Sequence, residues 1–272
     1  MKVITWNLGY ASITSPSINN QDIVNSALKY IEDKADVVLA QEMYIPEGVE
    51  EGAVCKFNDI YQYCIFKSIP KNRPEGFQWG GKEGNDIKNQ NDTQKWGTAI
   101  FSKTMIEPIQ LEVNTSYPGT IVIAKNTLYN TAFVSMYGKA IRYGSNNNYI
   151  HNLHRSISDL FPILSTPLLE KNFDLKNVII AGDWNIGPEF DDHTTRRYSN
   201  FFERICDLGV SDCLGNFPNG TYQATFKDGS KQIDWMLANK ELIQKIVTSQ
   251  IDSSEKRFQY SDHCHICTEF DI

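Results

Sequence analysis

The sequence predicts an α+β fold in which two packed β-sheets are flanked by helices. Three observations support this class. Short apolar runs typical of strands recur along the whole chain, segments with helical periodicity are inserted between them, and no internal repeat or linker-like composition divides the chain. We therefore expect residues 1–272 to form a single domain, since this length suits one large domain.

The N-terminal part of the chain is predicted to contain one helix and several strands. The helix begins at Asn19 or Asn20 and runs to about residue 34, because asparagine caps helix N-termini and apolar residues follow at helical spacing. Residues 67–95 are rich in Gly, Asn and Lys and lack periodicity, which predicts a long loop. Apolar runs mark the strands, which are residues 3–6, 36–40 and 61–66.

The rest of the chain is predicted to alternate between strands and two helices. Helical periodicity marks residues 149–169, where Pro162 is expected to bend or split the helix, and residues 199–208. Apolar runs bounded by turn residues mark the strands, which are residues 98–101, 106–113, 120–124, 128–136, 178–181, 221–226, 232–238, 246–251 and 264–270.

Charge and targeting signals restrict the classes of function. The formal net charge is −7, so the overall field does not attract polyanions, and a phosphate-bearing substrate needs a bound cation or a local basic patch.

No apolar stretch reaches the roughly 18 residues of a membrane span, and the N-terminus lacks a secretory signal. Six dispersed cysteines are unlike a disulfide framework. The sequence therefore predicts a cytoplasmic protein with no membrane partner, and it indicates no particular oligomeric state.

Polar residues recur where the predicted strands begin or end, and they are Asn7, Glu42, Tyr137, Asp183, Asn185, Asp234, Asp262 and His263. Singly, most of them are consistent with an ordinary turn, cap or surface residue. Asp234 is different, since a carboxylate inside an apolar strand needs a partner. If the two sheets face each other, these positions converge at one mouth of the sandwich, and the combination indicates a functional site.

The residue types at these positions suit one kind of chemistry. Oxygen ligands such as Glu42 and Asp262 suit a hard cation, Mg²⁺ or Mn²⁺. A histidine paired with an acid, such as His263, can stabilise or protonate a phosphoryl oxygen. An acid beside an amide, as in Asp183 and Asn185, can deprotonate and orient an attacking water. The set predicts metal-assisted phosphoester hydrolysis.

Seven segments in order carry a resemblance to a known family, and they are "TWN" at 5–7, "VVLAQE" at 37–42, "WGTAIFSK" at 96–103, "FVSMYG" at 133–138, "AGDWNIGPEFDD" at 181–192, "ATFKDGSKQIDWMLAN" at 224–239 and "YSDHCHI" at 260–266. On these segments the chain resembles the endonuclease/exonuclease/phosphatase superfamily, which has the DNase I-like fold. The resemblance spans residues 3–270. It implies a four-layered α/β/β/α sandwich of two mainly antiparallel sheets and a metal-dependent hydrolase acting on phosphoester bonds.

The resemblance also implies a metal site. Glu42 matches the family's metal ligand, and Asn7 lies beside it in the pattern as a ligand or hydrogen-bonding partner. Asp262 matches the remaining carboxylate of the metal site. The cofactor implied is Mg²⁺ or Mn²⁺.

The resemblance assigns catalytic roles to the second group of residues. Asp183 and Asn185 match the groups that activate and position the attacking water or hold the phosphate. Asp234 matches the acid that orients His263, and His263 matches the histidine that contacts the phosphate. Which acid is the general base stays open at this point.

Tyr137 indicates the branch of the superfamily. DNase I, the sphingomyelinases and the inositol-polyphosphate phosphatases have a histidine after the same strand, whereas a tyrosine there is similar to exonuclease III and the abasic-site endonucleases. Three residues depart from the abasic-site pattern: Gly9 replaces an acid, Ala140 an asparagine and Lys231 a tryptophan. Dedicated abasic-site repair is therefore not expected. Candidate substrate contacts are Phe226, Lys231 and Arg142.

These observations leave several functions open. The leading hypothesis is a nuclease that hydrolyses DNA or RNA phosphodiester bonds with an activated water. The alternative is a phosphatase or phosphodiesterase for a small molecule or lipid head group, which the net charge of −7 favours and the missing second histidine disfavours. A non-catalytic binding module is disfavoured, because every catalytic position is filled.

Overall fold

The computed structural model of the protein describes residues 1–9, 20–45, 48–69, 78–79, 95–110, 119–138, 140–143, 148–151, 174–191, 196–227, 229, 231–252, 254–255 and 259–272. The strands are β1 (Lys2–Asn7), β2 (Val37–Ile45), β3 (Val54–Cys55), β4 (Tyr63–Ser68), β5 (Gln78–Trp79), β6 (Lys95–Ser102), β7 (Glu107–Pro108), β8 (Ile121–Asn126), β9 (Thr131–Tyr137), β10 (Ala140–Tyr143), β11 (Asn148–His151), β12 (Asn177–Asp183), β13 (Val210–Asp212), β14 (Asp234–Asn239), β15 (Ile246–Ile251) and β16 (Ile266–Phe270). The helices are α1 (Asn20–Tyr30), α2 (Arg197–Cys206) and α3 (Lys240–Ile243), and a 3-10 turn spans Pro188–Phe190.

Hydrogen bonding joins the strands into two large sheets and one small one. The first sheet has seven strands in the order β15-β16-β1-β2-β6-β4-β3, and the second has six in the order β13-β14-β12-β9-β8-β7. The small sheet has the order β11-β10-β5. Antiparallel pairing predominates, and the parallel pairs among the described strands are β1 with β2 and β9 with β12.

The central core lies between the two large sheets. Alternate residues of a strand point to opposite faces, so each sheet contributes every second residue to this layer. Val37 and Leu39 of β2 belong to the same buried cluster as Phe133 of β9 and Ile179 of β12. The two sheets therefore pack face to face, as the sequence predicts.

Each large sheet buries its other face under a helix. Leu28 of α1 and Ile4 of β1 belong to one buried cluster outside the first sheet. Phe202 of α2 packs on Trp235 of β14 outside the second sheet, with ring centroids 4.4 Å apart. The layers follow the order helix, sheet, sheet, helix, which confirms the predicted α+β sandwich. Among the described residues, no helix has the length and apolar character needed to span a membrane.

Buried polar contacts join the two sheets. Gln41 on β2 donates from Nε2 to Ser135 Oγ on β9 at 2.9 Å, and Ser135 Oγ donates to the carbonyl of Ala40 at 3.2 Å. Because hydrogen bonds in a low-dielectric interior are directional and costly to break, these contacts fix how one sheet sits on the other.

Most predicted strands form, but the strand predicted at residues 36–40 is longer than expected. It continues as β2 to Ile45, so Glu42 lies within the strand and not after it. The pairing of β2 with β6 shifts register between Ala40 and Met43, which is a bulge that accommodates the extra residues.

The helix predicted over residues 149–169 is wrong at its start. Residues 148–151 form β11, which pairs with β10 in antiparallel register. Tyrosine and isoleucine favour strands, and cross-strand pairing outweighs the helical spacing of the apolar residues. Residues 152–173 lie outside the described residues.

Two further strand predictions and the loop prediction change. Residues 221–225 form no strand, and Phe226 makes an isolated bridge with His263. Of the strand predicted at 106–113, the described part forms β7 over Glu107–Pro108, and residues 111–118 lie outside the described residues. The predicted loop at 67–95 starts inside β4, which continues to Ser68, and its last residue begins β6. It also contains β5, and its other residues from 70 to 94 lie outside the described residues.

Candidate active site

The second sheet brings three of the predicted site residues side by side. Asp183 ends β12, and its backbone is in register with Tyr137 on β9 and with Asp234 on β14. Gly182 allows this arrangement, because a Cβ there would lie 1.8 Å from the carbonyl oxygen of Met136 on the neighbouring strand. The glycine before Asp183 is therefore required by the close approach of β9 to β12.

Asp183 is held by three N–H donors. Asn7 Nδ2 donates to Asp183 Oδ2 at 2.8 Å and Asn185 Nδ2 to the same oxygen at 2.9 Å, while the backbone N–H of Asn185 donates to Oδ1 at 2.9 Å. Asn185 adopts the left-handed conformation, with φ of 54°, which asparagine tolerates better than most residues. The carboxylate is thus fixed in orientation by Asn7 of the first sheet and by Asn185, which follows the end of β12.

The environment of Asp183 raises its proton affinity. Burial raises the pKa of this carboxyl to about 8, and the charges of Asp234 and Glu42 act in the same direction, whereas His263 and the hydrogen bond from Asn7 oppose them. A carboxylate with a pKa near the working pH is suited to accept a proton from water.

His263 forms a buried pair with Asp234. Its Nδ1 lies 2.9 Å and 3.2 Å from the two carboxylate oxygens of Asp234, and its Nε2 lies 4.0 Å from Asp183 Oδ2. Burial alone would lower the pKa of the imidazole, but the negative charge and hydrogen bond of Asp234 raise it to about 10. The imidazole ring is therefore protonated. Its Nδ1 hydrogen-bonds to Asp234, and its Nε2 faces Asp183.

Two buried hydroxyls hold this pair in place. Thr225 Oγ1 accepts the backbone N–H groups of Ile233 and Asp234, each at 3.0 Å. Ser261 Oγ donates to the carbonyl of Asn7 at 2.5 Å and accepts the backbone N–H of His263 at 3.0 Å. Sequence reasoning missed both as site residues, because a hydroxyl beside a motif is as compatible with an ordinary turn.

Glu42 owes its position to the bulge in β2. It has φ of 47°, which is uncommon for a residue with a side chain and marks a local constraint. Tyr137 hydrogen-bonds to its carboxylate. Burial raises the pKa of Tyr137 well above its ordinary value, and the charges of Glu42 and Asp183 raise it further, so the phenol keeps its proton.

The predicted metal ligands have the chemistry that a hard cation needs. Among the described residues, Asp262 Oδ1 is buried without a hydrogen-bond partner, and a carboxylate oxygen in that state is stabilised by a nearby cation. Glu42 and Asn7 supply further oxygen atoms, and all three residues belong to strands of the first sheet or to the segment that leads into β16. This donor set fits Mg²⁺ or Mn²⁺.

A different group of three side chains also lies close enough to hold an ion. Among the described residues, ligand atoms of Asp183, Asp234 and His263 lie within 4.8 Å of one another. In this group, however, Asp234 and His263 already neutralise each other. A protonated imidazole is not a metal ligand, so this group is poorly suited to hold a cation while His263 carries its proton.

The three candidate substrate contacts, Phe226, Lys231 and Arg142, have different surroundings in the structure. Phe226 packs against the edge of the His263 ring, with centroids 5.0 Å apart, and therefore borders the site. Lys231 Nζ lies 3.8 Å from the ring centroid of Phe190 in the 3-10 turn, which is a cation–π contact. Arg142 lies on β10, which begins three residues after Tyr137, and its backbone pairs with Gln78 and Tyr149.

Removing the Thr225 hydroxyl tests its role as a support. Thr225→Val keeps the shape but leaves two buried N–H groups without an acceptor, so we expect the free energy of unfolding to fall by about 2–4 kcal/mol in a urea titration. The imidazole ¹⁵N signals of His263, assigned with His263→Gln, should shift because Asp234 moves. Thr225→Ser keeps the hydroxyl and should restore those signals. Unchanged signals and stability in Thr225→Val would contradict the role.

Comparison with known proteins places the chain in a family. Residues 4–263 match the model of the endonuclease/exonuclease/phosphatase family. No curated protein matches the sequence significantly.

Solved structures share the fold at low sequence identity, and each alignment covers 100% of both chains. An AP endonuclease from Archaeoglobus fulgidus is 18% identical with a TM-score of 0.62. The 3′ phosphatase NExo from Neisseria, bound to a product DNA hairpin, is 16% identical with a TM-score of 0.59. A 3′-5′ exonuclease, NExo from Neisseria meningitidis, is 17% identical with a TM-score of 0.59. The match over residues 4–263 and the shared sandwich identify this chain as a phosphoester-hydrolysing member of the endonuclease/exonuclease/phosphatase family.

Proposed function

We propose that the protein is a divalent-metal-dependent nuclease that hydrolyses DNA or RNA phosphodiester bonds with an activated water. The observation that carries the proposal is the buried contact between the two sheets at Asp183, with the His263–Asp234 pair beside it. The chain acts as one domain, since strands from both ends of the sequence build this site.

Asp183 is the group that takes the proton from the attacking water. Asn7 and Asn185 both donate to Oδ2, which leaves lone pairs of the carboxylate available to the water. The pKa of about 8, raised by burial, suits a general base near neutral pH. Asn185 adds a second function, because its amide lies beside the acid and orients the water.

His263 and Tyr137 stabilise the phosphoryl group. The imidazolium is held at Nδ1 by Asp234, so Nε2–H donates toward the negative charge that develops on a phosphoryl oxygen. Tyr137 donates a hydrogen bond from a phenol that does not titrate near neutral pH. Both groups are fixed by neighbours before the substrate binds, which lowers the reorganisation needed in the transition state.

Glu42, Asp262 and Asn7 are the residues that would hold Mg²⁺ or Mn²⁺. When bound, such a cation supplies positive charge to the phosphoryl oxygens and so weakens the repulsion of an anionic substrate. Asp262 Oδ1 is buried and no described residue offers it a hydrogen bond, which supports this assignment, because the carboxylate otherwise bears an uncompensated desolvation cost.

Nucleic acid is favoured as the substrate class by three considerations. Tyr137 stands where exonuclease III and the abasic-site endonucleases have a tyrosine, whereas the sphingomyelinases, the inositol-polyphosphate phosphatases and also DNase I have a histidine. Structural relatives of this chain are described as an AP endonuclease and as an enzyme bound to a DNA hairpin. Phe226 at the edge of the His263 ring offers an aromatic surface for a base or sugar. The net charge of −7 favours the alternative, a small phosphoester, because a long polyanion is repelled outside the site.

A cleavage panel separates the two substrate classes. End-labelled DNA and RNA oligonucleotides, single- and double-stranded, are incubated with Mg²⁺, with Mn²⁺ or with EDTA beside a chromogenic small phosphodiester. We expect cleavage of at least one oligonucleotide only with metal, and kcat/KM should fall at least tenfold between about 50 and 200 mM salt, because several phosphates are contacted. Intact oligonucleotides together with metal-dependent, salt-independent cleavage of the small ester would establish the alternative.

Asp183→Asn tests the general base. The amide keeps the shape of the carboxyl but cannot accept a proton, so we expect kcat to fall roughly 10³-fold while KM changes little. Single-turnover cleavage of the best oligonucleotide measures this. Asp207→Asn is the matched control, since Asp207 is exposed at the end of α2. A loss of less than tenfold in Asp183→Asn would assign the base elsewhere.

A further inference from the structure

Two of the six cysteines face each other at the edge of the first sheet. Cys55 on β3 and Cys64 on β4 are direct partners in the antiparallel register, and their sulfur atoms are 3.0 Å apart. Directly opposed residues of an antiparallel pair have Cα atoms about 4.5–5.5 Å apart. A disulfide spans about 4.4–6.8 Å between Cα atoms, so this hairpin accommodates one without moving its backbone.

The two thiols are not equivalent. Cys64 is fully buried, whereas Cys55 is partly exposed on the two-residue edge strand β3. The hydrogen bond between the sulfur atoms lowers the pKa of Cys55 and raises the pKa of Cys64. Cys55 is therefore the thiol that ionises first and the one that a reagent reaches, while Cys64 lies behind it in contact.

The remaining cysteines have other surroundings. Cys264 Sγ points to the carbonyl of Ala224 at 3.8 Å and Cys267 Sγ to the carbonyl of Lys34 at 3.7 Å. Burial raises the pKa of Cys206 to about 11 and that of Cys213 well above its ordinary value, so these thiols resist ionisation. These four thiols are therefore less suited to oxidation than Cys55 and Cys64.

We propose that Cys55 and Cys64 are a reversible disulfide site, oxidised by exchange with a small-molecule disulfide such as glutathione disulfide. The Cys55 thiolate attacks one sulfur of the reagent, so a Cys55–glutathione bond forms, the reagent's S–S bond breaks and one glutathione thiolate leaves. Cys64 then loses its proton to solvent and attacks Cys55 Sγ, which releases the second glutathione thiolate. Two protein thiols and one glutathione disulfide become one protein disulfide and two glutathione thiols.

The Cys55–Cys64 disulfide would cross-link β3 and β4, the outermost hairpin of the first sheet. Among the described strands β3 pairs with β4 alone, so few contacts hold this edge. Closing the segment 55–64 restricts the unfolded chain, and we expect the midpoint of thermal unfolding to rise by about 5 °C in the oxidised protein. The site is separate from the phosphoester site and does not depend on the proposed nuclease function.

Peptide mapping tests the proposal, because trypsin separates the two cysteines. Cleavage after Lys34, Lys56 and Lys67 places Cys55 in peptide 35–56 and Cys64 in peptide 57–67. The folded protein is treated with glutathione disulfide, its free thiols are blocked with N-ethylmaleimide, and the digest is analysed by mass spectrometry. We expect a species with the summed mass of the two peptides less two hydrogen atoms, which dithiothreitol separates.

Matched variants make the result decisive. Cys64→Ser should stop at the first step and keep one glutathione on Cys55, and neither this variant nor Cys55→Ser should gain thermal stability on oxidation. Cys206→Ser should form the cross-link as the wild-type protein does. The proposal is wrong if peptides 35–56 and 57–67 stay separate in the treated folded protein, or if another cysteine pair is linked first.

Discussion

The hydrogen bond from Asn7 Nδ2 to Asp183 Oδ2 is the contact on which the site depends. At 2.8 Å it joins the last residue of β1 in the first sheet to the last residue of β12 in the second. Both residues are 1% exposed, so the contact lies in a low-dielectric environment where a lost partner is costly. It fixes the relative position of the two sheets at the point where their chemistry meets.

The two sheets supply different parts of the chemistry in our account. The first sheet, with the segment leading into β16, carries the oxygen donors proposed for a cation: Asn7, Glu42 and Asp262. The second sheet carries the groups proposed to act on water and phosphate, and these are Tyr137, Asp183 and Asp234. His263 bridges them, since it follows Asp262 in the chain but binds Asp234 across the interface. Rigid strands hold all these groups, which favours a site organised before the substrate arrives.

Much of this arrangement is predictable from the sequence, because strand burial and polar strand ends leave clear patterns. The buried run before Asp183 predicts β12, and the acid within an apolar strand predicts that Asp234 has a partner. The position of Glu42 within β2 is not predictable from the sequence, because a bulge depends on register with β6 and leaves no local signal. The supporting hydroxyls of Thr225 and Ser261 were missed for a similar reason, since their partners are backbone groups that only the fold brings near.

Long-range pairing also explains the remaining differences. Residues 148–151 carry helical spacing, yet they form β11 because β10 offers a strand edge. Cys55 and Cys64 looked like dispersed thiols, and only the pairing of β3 with β4 sets them opposite each other. In each case, pairing between two strands decides the structure, and the local propensity of either segment does not.

The location of the bound cation distinguishes the roles proposed for the two sheets. Crystals of the protein soaked in Mn²⁺ and measured at the manganese absorption edge would show the ion in an anomalous difference map. Our account predicts one strong peak in coordination contact with Glu42 and Asp262, on the first-sheet side of the Asn7–Asp183 hydrogen bond. A peak enclosed by Asp183, Asp234 and His263, with none at Glu42, would contradict the division of roles between the two sheets.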